Sequence, residues 1–322
     1  ASLKCASRRG LTERFDGSIG AGSVLMPFGG KTQRTPAQAM AALFPVEPGQ
    51  ETDQASVMAW GCDPDQLSVD PYAGAHNSVY TSMAKIVAAG ADYKEAYLTL
   101  QEFFEKLRDE PQRWGKPFSA LLGALDAQLD LNIAAIGGKD SMSGSFLDKD
   151  VPPTLISFAI APIQGQQVLS PEFKAADHPV YLFRSEDTKS AWEAFHALCE
   201  AGKVKAAWAV EAGGVAEAVM KMSFGNRIGF QAGMEDVDWY APMVGAIVAE
   251  LSEDINDPCA VRIGETNEAP FVALPGEAVS IDELQKLNDG VLESVYPTKA
   301  GSSEEVKAIS WDKRSIAVCK HK

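Results

Sequence analysis

The sequence predicts two α+β domains in one chain, on three observations. The chain has 322 residues, which is long for one core when domains usually run ~100–150 residues. Its 46% hydrophobic and 23% charged residues are those of an ordinary globular protein and exclude a largely disordered one. Short apolar runs of strand type are interspersed with segments of helical period, and no short-period repeat or low-complexity tract interrupts them.

Residues 1–35 are rich in Gly, Ser and Arg, and within them 18–27 read as a short strand ending in a Gly29-Gly30 turn. Residues 55–60 read as a strand. Val79, Met83, Ile86 and Val87 fall at helical spacing, so a helix is expected from Asn77 to a stop at Gly90. A second helix is expected over 93–108, and a third carries Phe118, Leu121, Leu122, Leu125 and Leu129 on one face. An apolar run at 133–136, a Gly-Gly turn and a strand at 155–160 follow. The polar stretch 162–171 precedes a fresh strand at 178–183, and there the chain divides into domains 1–163 and 164–322. The second half repeats the rhythm: a helix over 190–201, a strand over 204–210, Gly213-Gly214 opening a helix over 215–222, a strand over 243–251 and a late helix over 281–288.

Charge narrows the partners. The 29 Lys+Arg against 44 Asp+Glu leave a formal −15, which repels phosphate backbones and disfavours nucleic acid and anionic membrane surfaces. Small anions such as ATP stay open to it if Mg²⁺ or local cations neutralise them. No apolar stretch approaches the ~20 residues of a membrane span, and the N-terminus lacks a basic-then-apolar leader. Cys5, Cys62, Cys199, Cys259 and Cys319 are odd in number and far apart, without CxxC or a Cys/His cluster. That disfavours structural zinc and a disulfide framework, and the plain reading is a cytoplasmic protein with reduced thiols.

The most informative segment is Gly137-Gly138-Lys139-Asp140-Ser141-Met142-Ser143, after an apolar run. Gly137 and Gly138 let backbone N–H groups approach an anion, Lys139 offsets phosphate charge, Asp140 can hold Mg²⁺, and Ser141 and Ser143 can donate hydrogen bonds. It is no Walker A loop, because Ile133 and Asp140 occupy positions that pattern gives to Gly and Ser/Thr. A polar turn beside a strand is the bland alternative. Asp70, ahead of Pro71, is either a ligand of Mg²⁺–nucleotide or the start of a turn, and His76 is either a base or an ordinary residue before the helix. Gly213-Gly214 at a helix start can bind an anion or serve tight packing. Lys31 and Arg34 beside Gly29-Gly30 form a small basic patch or a solvated surface. No Ser/His/Asp order or reactive-Cys context stands out.

Taken together, Gly138-Lys139-Asp140-Ser141-Met142-Ser143, the block from Asp70 through Lys85, and the block from Gly213 through Phe224 resemble phosphoribosylformylglycinamidine synthase (FGAM synthase). The likeness is to the second, C-terminal half of the synthetase region in the large single-chain form, and it runs over nearly the whole chain. The GG-plus-helix block is shared with aminoimidazole ribonucleotide synthetase, selenophosphate synthetase and thiamine-monophosphate kinase.

The resemblance implies an aminoimidazole-ribonucleotide-synthetase-like half: an N-terminal α/β barrel-forming domain followed by a C-terminal α/β sandwich domain. It implies part of an ATP-dependent amidotransferase/ligase of purine biosynthesis, which converts formylglycinamide ribonucleotide (FGAR), ATP and glutamine-derived ammonia into formylglycinamidine ribonucleotide (FGAM), ADP and phosphate. ATP and Mg²⁺ are the implied cofactors. Asp70, Gly137, Gly138 and Lys139 fall on ATP-contacting positions, Ser141 and Ser143 on substrate-contacting ones, and Asp140 and Asp70 on the metal; Lys139 stands where the small form has an asparagine ligand of Mg²⁺. The implied partners are FGAR, the N-terminal synthetase half with its catalytic histidine, and the glutaminase domain, neither of which is matched here. A fragment or separately encoded subunit, inactive alone and prone to self-dimerise, is expected. Thr81, Lys85, Ala209 and Glu211 replace acidic and polar residues that hold a second, non-catalytic ADP in many relatives, and Gln38 or Ala39 stands where a further Asp is expected. Loss of that auxiliary site is the expectation. The alternatives are a non-catalytic nucleotide-binding or assembly module of the same enzyme, and a stand-alone small-molecule kinase.

Overall fold

Two mixed sheets organise the chain in the computed structural model, which describes residues 2–15, 17, 22–234 and 236–299. The N-terminal segment forms helix α1 (Arg9–Thr12) and the two-residue strands β1 (Phe28–Gly29) and β2 (Thr35–Pro36). Then come β3 (Met40–Leu43), β4 (Gln54–Gly61), α2 (Pro64–Val69), α3 (Pro71–Ala88), β5 (Tyr97–Phe103), α4 (Pro111–Leu131) and β6 (Ala134–Ser141). A short hairpin of β7 (Ser145–Phe146) and β8 (Lys149–Asp150) leads into the long strand β9 (Thr154–Gln164). The first sheet has the order β3-β4-β9-β5-β6, antiparallel throughout except for the parallel pair β5/β6.

Alternation fixes which face of this sheet is covered. Ala55, Val57, Ala59 and Gly61 of β4 and Leu155, Ser157, Ala159, Ala161 and Ile163 of β9 are buried, while the residues between them face the other way. The buried set is mostly small, so α3 lies very close: a Cβ on Gly61 would fall 2.2 Å from the Ser78 carbonyl oxygen. α4 in turn approaches α3 through Ala120, Gly123, Ala124 and Ala127, and a Cβ on Gly123 would meet the Tyr72 carbonyl oxygen at 2.0 Å. The apolar face that the sequence marks on this helix points outward, with Phe118, Leu121, Leu125 and Leu129 exposed.

The second half comprises β10 (Pro179–Phe183), α5 (Thr188–Glu200), β11 (Val204–Ala209), α6 (Gly214–Phe224), β12 (Gly229–Ala232), β13 (Ile247–Leu251), β14 (Ala260–Asn267), β15 (Phe271–Leu274), β16 (Glu277–Ser280) and α7 (Ile281–Gly290). Its sheet runs β11-β13-β10-β14-β12-β15-β16 and is covered on both faces. Tyr181 and Phe183 of β10 join a core with α3 and with Trp192 and Phe195 of α5, whereas Val180 and Leu182 join the core under α6. Every residue of β10 is buried, as a central strand between two layers must be. β2 packs across the halves, Thr35 donating its hydroxyl to the Lys221 carbonyl at 2.5 Å. No helix among the described residues is long and apolar enough to cross a membrane.

Several sequence readings change. The helix expected over 93–108 is instead a short turn at Tyr93–Glu95 followed by β5, whose burial alternates at Leu98 and Glu102 and which pairs with β9 on one edge and β6 on the other. α3 begins at Pro71, six residues before Asn77, because Asp70 caps it and Pro71 suits the first helical position. Residues ahead of Asp70 form α2. The Gly-Gly turn after Ile136 is strand: Gly138 passes Leu100 so closely that a Cβ would lie 2.5 Å from the Leu100 carbonyl oxygen. Of the strand expected over 18–27, residues 18–21 lie outside the described residues and Ser23 makes a single bridge to Ala42. The strand expected over 243–251 begins at Ile247, and β12, β14, β15 and β16 were not anticipated.

Alanine in place of glycine inside a helix ordinarily stabilises by about 1 kcal/mol. Gly123→Ala should do the reverse here and cost about 1–3 kcal/mol through overpacking. A urea-unfolding midpoint that rises or stays put would show that α3 and α4 are not in such close contact.

Candidate functional site

The polar run that dominates the sequence lies on an open sheet edge. α3 leads into β5 by a short connection and α4 leads into β6 by another, so both helices run against the parallel strands. Their amino ends therefore sit at the carboxyl ends of β5 and β6, where α/β folds gather ligands. In register, Leu100 pairs with Gly138, Gln101 with Lys139, Glu102 with Asp140 and Phe103 with Ser141. Ile136 through Asp140 are all exposed.

Alternation separates the residues that the sequence groups together. Gly138 and Asp140 share the helix-covered side with Leu100 and Glu102, whereas Lys139 and Ser141 share the other side with Gln101 and Phe103. Lys139 donates only to the Asp140 carbonyl, at 2.5 Å. The Ser141 and Ser143 hydroxyls are 2.8 Å apart and bond one another. Among the described residues neither Lys139 nor Asp140 enters an ion pair, and Gly137 has no neighbour close enough to obstruct a ligand. Beyond Lys139 extends the uncovered sheet face, where Met40, Trp60, Tyr97, Phe103 and Ile136 are exposed.

Asp70 stands at the same end, capping α3: its Oδ1 accepts from the Tyr72 and Ala73 N–H groups at 3.0 and 3.1 Å. His76 stacks on Tyr80 with ring centroids 4.8 Å apart, and its Nδ1 lies 3.3 Å from the Asn77 side-chain oxygen. Glu102 escaped the sequence reading because it falls in the tract expected to be helical. Burial and the neighbouring Asp140 charge push its carboxyl up to about 7.

Lys85, Glu211, Gln38 and Ala209, four of the residues that stand in the place of the relatives' second ADP site, bond to one another in an ionic cluster. Lys85, 4% exposed, places its ammonium 2.8 Å from Glu211, donates to the Trp60 carbonyl at 3.0 Å and lies 4.5 Å from the centre of the Trp60 ring. Gln38 donates to the other Glu211 oxygen at 3.0 Å and to the Ala209 carbonyl at 2.9 Å, and accepts the Ala209 N–H at 2.7 Å. Burial alone would raise the Glu211 carboxyl, but the Lys85 charge and the hydrogen bonds from Lys85 and Gln38 hold it below the usual carboxylate range.

Two further readings resolve as structural. The amino end of α6 is filled from within, since Glu217 accepts the Gly213 N–H at 2.9 Å and pairs with Lys221 at 2.6 Å. Arg34 pairs with Asp289 at 3.3 Å, and the Lys31 N–H bonds Asn226, so the basic patch fastens the N-terminal segment to α7 and the end of α6. A cleft of about 320 Å³ near Tyr93, Asp130 and Lys189 and another of about 300 Å³ beside Gly29-Gly30 are both lined without any β6 residue.

No family model matches the chain. It is 22% identical to the phosphoribosylformylglycinamidine synthase subunit PurL of Picrophilus torridus, over 91% of this chain and 44% of that protein. To the same subunit of Thermoplasma acidophilum it is 20% identical, over 88% and 41%. The chain thus spans less than half the length of the curated relatives it matches. Thermotoga maritima PurL complexed with FGAR superposes with a TM-score of 0.60 at 14% identity, covering 80% of this chain and 49% of that one. This is a PurL-like fold. The T. maritima PurL complex with ATP gives the same TM-score of 0.60 at 15% identity, over 80% and 47%. Thiamine monophosphate kinase of Aquifex aeolicus, at 10% identity, gives 0.51 over 71% of this chain and 91% of its own. The PurL-like fold is that of the aminoimidazole-ribonucleotide-synthetase group expected from the sequence.

Breaking a buried ion pair by removing one partner costs about 3–5 kcal/mol, so Lys85→Ala should lower stability by that order at neutral pH. The Glu211 carboxyl titrates lower folded than unfolded, so its contribution is present above the ordinary value of about 4.3 and fades as pH falls through the lowered folded value. Urea unfolding should therefore show the gap between wild type and Glu211→Gln closing only in acid; a gap independent of pH would dismiss the ion pair.

Proposed function

We propose that the chain is the C-terminal half of the synthetase region of an FGAM synthase, part of an ATP-dependent ligase that converts FGAR, ATP and glutamine-derived ammonia into FGAM, ADP and phosphate. The observation that carries this reading is the run from Gly137 to Ser143, exposed from Gly137 through Asp140, on and just past an edge strand; among the described residues its lysine and acid enter no ion pair and no helix covers the apolar sheet face beside it. The chemistry of the donors fits the cofactors. Asp140 and Asp70 offer hard carboxylate oxygens for Mg²⁺, which keeps several waters and takes one or two carboxylates beside phosphate oxygens. Lys139 and the N–H groups of Gly137 and Gly138 offer positive charge and donors to a triphosphate, and Ser141 and Ser143 offer hydroxyls to the substrate. Mg²⁺–ATP bound there would supply the phosphoryl group that makes an amide oxygen a leaving group for ammonia.

No complete catalytic set is present among the described residues, so the N-terminal half must complete the site. The two faces of β6 bear on this division. Lys139 and Ser141 border the apolar face that a partner would cover, while Asp140 lies towards the helices of its own chain. A mixture of the chain with that half, FGAR, Mg²⁺–ATP and ammonium should release phosphate, and Asp140→Ala should lower the rate roughly 100-fold or more, the scale of losing a group that stabilises transition-state charge. Unchanged release would favour the second reading, a non-catalytic assembly module, for which the closed Lys85–Glu211 cluster speaks. Turnover by the chain alone would instead mark a stand-alone kinase.

The uncovered sheet face also supports self-association of the isolated chain. Trp60, Tyr97 and Ile136 are exposed large apolar residues on that side, and a contiguous exposed apolar patch marks an interaction surface. Light scattering should give a dimer that dissociates on dilution and is weakened by Trp60→Glu; a monomer at every concentration would contradict it.

A further inference from the structure

α4 carries two sets of apolar residues, and the fold uses only one of them. Pro117, Ala120, Gly123, Ala124, Ala127 and Leu131 are buried against the rest of the chain. The other set is Trp114, Phe118, Leu121, Leu122, Leu125 and Leu129, each between 40% and 71% exposed. At ~3.6 residues per turn these six fall within one stripe about 100° wide, on the side of the helix away from the buried set. The Trp114 indole is held in place by its N–H, which donates to the Arg108 carbonyl at 3.0 Å. Scaled from side chains of this size, the stripe offers on the order of 500 Å² of apolar surface, as much as the largest patch on an ordinary monomer.

The spacing of the stripe says what fits it. Its six positions are symmetric about the point between Leu121 and Leu122: Trp114 mirrors Leu129, and Phe118 mirrors Leu125. An identical helix laid antiparallel across it therefore sets an apolar side chain opposite every one of the six, which is the self-complementary pattern of a two-fold interface. The margins allow the approach. Gly115, Ser119 and Asp126 flank one side and Pro117 and Gln128 the other, so Asp126 is the one charge directly beside the stripe. Its carboxylate accepts the Tyr72 hydroxyl at 2.9 Å. In the antiparallel register the Asp126 residues of the two copies stand ~14 Å apart along the helix axis. That is beyond the ~8–10 Å over which exposed charges act in ordinary salt. Two such stripes in contact bury about 1,000 Å², the size at which specific interfaces begin.

We infer that α4 is a contact between two copies of this chain, formed by its outward stripe about a two-fold axis between Leu121 and Leu122. The inference goes beyond the functional reading and does not rest on it, because the stripe lies on the helix-covered side of the first sheet and not on the face that an N-terminal half would cover. With that sheet face covered, the α4 contact joins two assembled molecules; with it open, the isolated chain carries two separate apolar contacts and grows beyond a dimer at high concentration.

The test starts from the full chain carrying Trp60→Glu, which removes the sheet-face contact, so its failure and the failure of that contact are told apart. Sedimentation velocity over a concentration series should show a dimer. It should tighten as salt screens the repulsion between two copies of formal charge −15. A further Leu125→Glu should weaken it roughly 30-fold or more, the scale of losing an interface hot spot. Thermal unfolding of the dilute monomer guards against a folding artefact, since Leu125 is half exposed and the change should leave the midpoint nearly unmoved. Oxidation reads the register. Leu122→Cys, beside the axis, should give a covalent dimer joined through position 122 of both copies in peptide mass spectrometry. Leu129→Cys, ~22 Å from its own copy in an antiparallel pair, should link to itself no more than the parent chain does. A monomer at every concentration, an association indifferent to Leu125→Glu, or a covalent dimer through Leu129→Cys overturns the pairing. A monomer whose midpoint falls sharply with Leu125→Glu overturns it as well, by assigning the stripe to another segment of the same chain.

Discussion

α3 lies on its sheet at a distance that only small side chains permit, and much of the first half follows from that approach. Alanines of β4 and β9 and Gly61 form the floor, and Gly123 and the alanines of α4 form one wall. Because α3 is covered by the sheet, by α4 and by the second half together, all the helical cover of the five-stranded sheet falls on one side. Among the described residues no helix covers the opposite side, where Met40, Trp60, Tyr97, Phe103 and Ile136 are exposed. The same approach brings the amino end of α3, with its Asp70 cap, to the carboxyl ends of β5 and β6.

Burying α3 so completely also obliges its one buried cation to find an anion. Lys85 reaches across to Glu211 in the connection between β11 and α6, with Gln38 bracing the far oxygen and Trp60 lying against the ammonium. The pair joins elements from both halves, so the position of α3 over its sheet and the position of β11 in the other sheet are set together. A side-chain ammonium does here what a bound ion does in other folds, neutralising an interior carboxylate without an exchangeable ligand.

Much of this was legible in the sequence wherever one principle acted alone. β4 and β9 have composition and alternation in agreement, β10 and β11 are the unbroken apolar runs of strands covered on both faces, and α5, α6 and α7 have clean helical periods. Legibility failed where two patterns overlapped. The tract at 93–108 carries enough apolar residues to mimic a helix, but Leu98 and Glu102 are buried on a two-residue period, and tertiary pairing on both edges decides for strand. Losing β5 also hid Glu102, since nothing local marks a carboxylate as buried. The polar run from Gly137 was visible, but its division between two faces of a sheet was not, because a glycine pair signals a turn unless a neighbouring strand requires the close passage. The outward Leu stripe of α4 shows the converse: helical period was read correctly, yet the packed face is the one made of alanine and glycine.

An unpaired outer strand has a further consequence for the behaviour of the molecule in concentrated solution. Among the described residues no strand pairs with the outer side of β6, and such an edge is the template on which foreign strands stack into fibres. Two glycines, a lysine and an aspartate in succession make that edge a poor template, because they lower intrinsic strand preference and put opposite charges on successive residues. That composition thereby guards the strand against runaway fibrillar growth.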